Sequence, residues 1–169
     1  MKILKPVLAL LAIGIIYLCL WPVPVDPIAW NAPVNRGLVD PFEENDRLND
    51  ATLVSLDNHH GPEDIAFGFD RLLYAGTEDG KIISFHADGS DINVFANVGG
   101  RPLGLDFNGG FLYVANAYIG LQRVRSDGRV VVLADKFEGN SIGYANDVAV
   151  AKNGMVYFSD ASSKFKAQE

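Results

Sequence analysis

A single cysteine, Cys19, stands in the chain, inside an apolar N-terminal run, so no disulfide can form within one molecule. A reactive thiol would need a base beside it, and that run supplies none. Basic residues are also scarce: 14 Lys and Arg face 21 Asp and Glu, the net charge is −7, and no basic stripe occurs. Nucleic acid is therefore excluded as a partner, because phosphate binding requires a basic face. Histidine is thin too. His59 and His60 precede Gly61, where adjacent rings point to different sides, and His86 stands before a turn with its ring expected in solvent. Apolar spacing of 3.6 residues is absent from the body of the chain, which excludes helical repeats.

One long apolar run is present. Lys2 and Lys5 precede 20 uncharged residues, Pro6–Val25, a length that matches a helical crossing of the hydrocarbon core. Tyr17 and Trp21 suit the membrane interface, and Pro22 and Pro24 are expected to end the helix. The stretch after Leu20, WPVPVDPIAWNAP, lacks the small residues of a cleavage site. Residues 1–25 thus read as an uncleaved signal anchor rather than a cleaved signal peptide, and the absence of a polar face speaks against a core helix. The lysines place the N-terminus in the cytoplasm and the rest outside it, in a periplasmic, extracytoplasmic or lumenal space. Residues 26–48, with Pro27, Pro33 and Pro41, read as an extended linker.

From residue 49 onward the chain repeats. PEDIAF (Pro62–Phe67) recurs as PLGLDF (Pro102–Phe107) and as ANDVAV (Ala145–Val150), with Ile65, Leu105 and Val148 in register at steps of 40 and 43 residues. Each is followed by an aromatic strand: LLYAGT, FLYVAN or MVYFSD. Two further short strands with Asp-Gly turns (Asp88-Gly89, Asp127-Gly128) separate successive units, and Asp79-Gly80 marks another turn. Four strands per unit of this length is a propeller-blade period, so the fold class is all-β. Residues 49–169 hold two and a half to three blades, whereas propellers close with about four to eight. The sequence is accordingly expected to be the N-terminal fragment of a β-propeller rather than one that assembles from copies. Alone it should expose apolar blade faces and show little activity.

The repeat register places Glu63–Asp64, Leu103–Gly104 and Asn146–Asp147 at equivalent points, just before the innermost strands. Two readings stay open there. Hard oxygen ligands from separate blades suit Ca²⁺ or a similar divalent cation, with Asp64 and Asp147 as supporting groups. Equally, Asp and Asn commonly turn a chain into a strand. Leu103 can neither ligate a metal nor exchange a proton. Tyr118 is expected to pack between blades, and Ser162–Ser163–Lys164 lacks the spacing of an acyl-serine enzyme.

GPEDIAF, AGTEDGKI, GRPLGLDF, LYVANAYIGLQRV, ANDVAV and YFSDASSKF together resemble the strictosidine synthase-like proteins, including the adipocyte plasma membrane-associated group. The likeness runs from about Leu48 to Phe165. It implies a six-bladed propeller, of which about the first three blades are here, related more distantly to the regucalcin/gluconolactonase and paraoxonase groups. In metal-dependent relatives a first-blade glutamate and a third-blade asparagine bind the catalytic Ca²⁺, which maps onto Glu63 and Asn146. Further ligands are implied in fourth and fifth blades, which this sequence lacks. Leu103 stands where paraoxonases carry a catalytic histidine, and the late-blade glutamate of true strictosidine synthases lies outside the sequence, so the catalytic residues stay unassigned. The resemblance implies a calcium-assisted hydrolase of small esters or lactones. The alternatives are a membrane-tethered propeller that binds a ligand or partner without catalysis, and an amine–aldehyde condensing enzyme.

Overall fold

The structure is a computed structural model that describes residues 4–21, 28–162 and 164. Contacts divide the chain into two units, Met1–Asn49 and Asp50–Glu169. Lys2, Pro22, Pro24, Pro27, Ser163 and Phe165 lie outside the described residues.

In the first unit, helix α1 covers Leu4–Leu20. Pro6 falls in its first turn, where a missing N–H costs no hydrogen bond. The Trp21 N–H donates to the Tyr17 carbonyl at 2.9 Å, and the two rings lie 4.8 Å apart. The sequence suggested a 20-residue span from Pro6; the helix begins two residues earlier and has 17 residues. At 1.5 Å per residue that is about 25 Å, below the roughly 30 Å hydrocarbon core. Among the described residues no helix is long and apolar enough to cross a membrane. Residues 28–39 form no helix or strand, and a short 3-10 turn, Asp40–Phe42, carries Pro41 at its second position.

The second unit is antiparallel β. Strands β1 (Ile65–Phe67), β2 (Leu73–Gly76), β3 (Lys81–Phe85) and β4 (Asn93–Asn97) pair in sequence order as one four-stranded sheet. Strands β5 (Pro102–Asn108), β6 (Phe111–Asn116), β7 (Gly120–Arg125) and β8 (Val130–Ala134) form a second of the same order. A small hairpin of β9 (Lys136–Phe137) and β10 (Asn140–Ser141) follows. Its Glu138-Gly139 turn has both residues at positive φ, 49° and 83°, the backbone a two-residue hairpin needs. Nothing in the repeat register announced this hairpin. Strands β11 (Ala145–Val150) and β12 (Val156–Asp160) pair as a third sheet.

Strands β2, β3, β5 and β6 read as near-continuous apolar runs and are buried on both faces over much of their length, whereas β8 and β12 stay largely exposed. Along β3, Ile82 turns to a cluster shared with the second sheet, and Ile83 turns to a cluster with Ala75, Phe85 and Leu56. Along β6, Leu112 and Val114 face the first sheet, while Ala115 packs with Ala145 and Val148 of the third. Three sheets thus lie side by side, each with its first strand nearest its neighbour's: β5 contacts β1 on one side and β11 on the other. That is the radial order of propeller blades.

The seams are fastened by carboxylates. Asp64 Oδ1 accepts the Ile65 N–H and its Oδ2 accepts the Leu105 N–H, both at 2.8 Å, joining β1 to β5. Asp106 Oδ2 accepts the Val150 N–H at 2.7 Å, joining β5 to β11. Asn116 closes the first seam from within. Its Oδ1 accepts the Arg101 N–H at 2.9 Å, and its Nδ2 donates to the Gly99 carbonyl and to Gln122 Oε1. Gln122 Nε2 in turn donates to the Val98 carbonyl at 3.0 Å, so both buried amides are satisfied.

Candidate functional site

The start of each inner strand opens on one cleft of about 240 Å³. It is lined by Glu63, Asp64, Leu103, Gly104, Asn146 and Asp147, the six residues that the repeat register makes equivalent. Side chains separated by 83 residues in sequence, Glu63 and Asn146, share it because each stands just before or at the start of the first strand of its sheet.

The donors differ in their freedom. Glu63 is exposed, Asn146 is half-buried, and neither side chain enters a hydrogen bond among the described residues. Asp64, by contrast, has one bond on each oxygen, so it fastens the seam while its neighbour Glu63 stays free. Asp147 Oδ1 accepts the Val148 N–H at 2.8 Å, and the Asp147 N–H donates to Ser159 Oγ at 3.1 Å. The turn reading of Asp64 and Asp147 therefore describes their geometry well.

Gly104 sets the width of the cleft. A Cβ there would stand 2.6 Å from Asp147 Cα and 2.8 Å from the Val148 nitrogen, so only glycine lets β5 and β11 approach this closely. Leu103, 4 % exposed, makes the floor apolar.

Two oxygen donors fall short of the six to eight that Ca²⁺ prefers. Among the described residues no group of three or more His, Cys, Asp or Glu could hold a metal ion. The donors that are present, a carboxylate and an amide oxygen, are of the hard type such a cation takes.

Other residues singled out in the sequence lie elsewhere. His59 is half-buried and His60 exposed, and the His60 carbonyl accepts the Glu78 N–H at 3.0 Å. The His86 ring is exposed, with Nε2 3.6 Å from Asp91. Gly80, Gly89 and Gly128 take positive φ in their turns, as Asp-Gly pairs require. Tyr118 was expected between blades and is instead 46 % exposed. It belongs to a turn closed by the Ile119 N–H on the Asn116 carbonyl, and its own N–H donates to Asn116 Oδ1, which leaves its ring outside the sheets.

A second pocket went unread in the sequence. At the far ends of β1 and β5, a half-open pocket of about 220 Å³ is lined by Phe69, Asp70, Tyr74, Phe95, Phe107 and Val124, among others. Tyr74 Oη donates to Asp70 Oδ2 at 2.7 Å. Burial first, then the Asp70 bond and charge, push the Tyr74 phenol well above its ordinary value. The only sequence signal was a Phe-Asp pair in the first inner turn where the second repeat has Gly109-Gly110.

These sheets match solved propellers. A gluconolactonase from Xanthomonas campestris superposes with a TM-score of 0.53 at 21 % identity, covering 59 % of this chain and 34 % of that one. A second solved structure of gluconolactonase type gives 0.53 at 24 %, covering 62 % and 37 %. The fold is that of a β-propeller. In sequence, residues 40–85 match the family described as strictosidine synthase-like, N-terminal. The protein STRICTOSIDINE SYNTHASE-LIKE 4 of Arabidopsis thaliana is 39 % identical over 129 residues, 72 % of this chain and 35 % of its own length. The adipocyte plasma membrane-associated protein of Salmo salar is 35 % identical over 148 residues, 76 % of this chain and 35 % of its own. The chain belongs to the strictosidine synthase-like family, and it spans about a third of the length of these two relatives.

Proposed function

We propose that the chain supplies the first three blades of a six-bladed propeller that hydrolyses small esters or lactones with the help of Ca²⁺ or a similar divalent cation. The observation that carries this reading is the cleft in which Glu63 and Asn146, free of other bonds, meet at the mouth of the inner strands. Glu63 would hold the cation through its carboxylate and Asn146 through its amide oxygen. A bound divalent cation supplies Lewis-acid polarisation of a carbonyl and stabilises the oxyanion that develops. Leu103 gives the substrate an apolar floor and keeps water from that side, and Asp64 holds the backbone from which Glu63 projects. The gluconolactonase named among the solved structures acts on a lactone, in keeping with this substrate class.

The apolar run of α1 and the naming of a relative as plasma membrane-associated support a tether through the N-terminus, and Lys2 and Lys5 before that run favour the propeller on the non-cytoplasmic side. The test is hydrolysis of aryl esters and lactones by the full-length protein with and without EDTA, beside Glu63→Gln. Activity unchanged by chelator and by the substitution overturns the metal role. A second reading, a tethered propeller that binds without catalysis, is favoured by Leu103, an inert side chain in the lining of the cleft. Binding without turnover, insensitive to Asn146→Ala, would establish it.

A further inference from the structure

The aromatic pocket at the other end of the first seam shares no residue with the cleft, so its chemistry stands apart from the hydrolase reading. Its walls are rings set at steep angles to one another. Tyr74 meets Phe95 at 5.0 Å and 81°, and Phe107 at 4.7 Å and 67°; Phe69 meets Phe107 at 6.2 Å and 74°. These edge-to-face contacts hold the rings against one another, and all four rings line the same space. The negative charge of a π face attracts a cation placed over it.

Charge at the pocket has one sign. Asp70 is an exposed carboxylate on the rim, no Lys or Arg lines the pocket, and Asp70 makes no ion pair among the described residues. Its two oxygens accept the Leu72 N–H and the Tyr74 hydroxyl, which fixes the carboxylate in place without neutralising it. The hydroxyl bond to an anion also enriches the Tyr74 ring in electron density. Phe69, 74 % exposed at the tip of its turn, would leave water on closing over a ligand. At about 220 Å³ the space lies below the roughly 300–1,000 Å³ of pockets for drug-sized ligands, and suits one compact group.

We propose that this pocket is a binding site for an alkylated ammonium group of the trimethylammonium type, with Tyr74, Phe95, Phe107 and Phe69 as the aromatic cage and Asp70 as its counter-charge. The site belongs to the first seam alone. The third repeat has Lys152-Asn153 and the second Gly109-Gly110 where the first carries Phe69-Asp70.

The probe is choline, titrated into the full chain in maltoside micelles, which carry no choline headgroup. Binding is followed by tyrosine fluorescence and by the proton resonances of the phenylalanine rings. Saturable binding is expected, with the neutral tert-butyl analogue of choline, carbon in place of nitrogen, at least about fivefold weaker. Asp70→Asn keeps the Leu72 N–H bond on its amide oxygen, turns its amide nitrogen to donate to Tyr74 Oη in place of accepting from it, and removes the charge. It should cost choline about fivefold while leaving the neutral analogue unmoved. Phe69→Ala, at an exposed position that does not threaten the fold, should weaken choline about threefold. The proposal is overturned if choline fails to saturate, if the neutral analogue binds equally well, or if Asp70→Asn binds choline as tightly as the parent.

Discussion

The inner strands begin at one cleft and end at another, of about 240 and 220 Å³, and the two are built on opposite principles. The first is polar, is walled by strand starts from all three sheets, and takes its shape from backbone proximity at Gly104. The second is aromatic, lies between two sheets, and takes its shape from side chains on a turn and on β2, β4 and β5. Repetition made the first: equivalent residues in successive blades face a common axis. Departure from repetition made the second. The tyrosines that the repeat makes equivalent show the same contrast, since Tyr74 is buried, Tyr113 half-buried and Tyr157 exposed. A repeat position fixes direction, and the neighbouring sheet decides what that direction means.

The sharpest way to break the polar cleft while sparing the aromatic one is Gly104→Ala. The added Cβ meets main-chain atoms of β11, which cannot rotate away, so β5 and β11 must part. A loss on the order of 3 kcal/mol in urea unfolding is expected, together with loss of any metal binding in the cleft. An unaltered midpoint would show that the seam yields freely and that glycine is not needed there.

Asp64 and Asp106 separate fastening from function. Each carboxylate carries an inner strand's neighbour through one backbone N–H, but only Asp64 adjoins a candidate ligand. Asp64→Ala and Asp106→Ala should each cost about 2 kcal/mol, the worth of a hydrogen bond to a charged group plus an amide left unpaired. Titration of Tb³⁺ luminescence should then weaken for Asp64→Ala only. Equal weakening in both would make the effect one of general loosening.

Much of this cleft was legible in the sequence, and the reasons are physical. Register among Ile65, Leu105 and Val148 fixes which residues share an axis, and a period-two strand then fixes which way they face. The two readings of Asp64 could not be separated there, because its second bond goes to Leu105, 41 residues away. Asp106, in mid-strand, carries no sequence signal of its bond, because its partner Val150 lies 44 residues away. The aromatic pocket was invisible because Phe95 and Phe107 meet Tyr74 only once two sheets pack. Tyr118 misled for the converse reason, since a local turn bond, not sheet packing, governs its ring.

The smallest expected effect belongs to the aromatic side and is read by pH. Burial and Asp70 raise the Tyr74 phenol in the folded state above its unfolded value of about 10. Below that pH both states hold the proton, so the contribution is fully present and stability does not depend on this group. Above it the unfolded chain releases the proton while the folded chain keeps it, so stability falls as pH climbs towards the folded value. Tyr74→Phe removes the titrating group and leaves the ring edges on Phe95 and Phe107 in place. The variant should be somewhat less stable than the parent at pH 7, for loss of the Asp70 bond, and its unfolding midpoint should decline less steeply between about pH 9 and 11. Parallel declines in the two proteins would mean that Tyr74 ionises as freely folded as unfolded, and that the pocket is wetter than its lining of rings indicates.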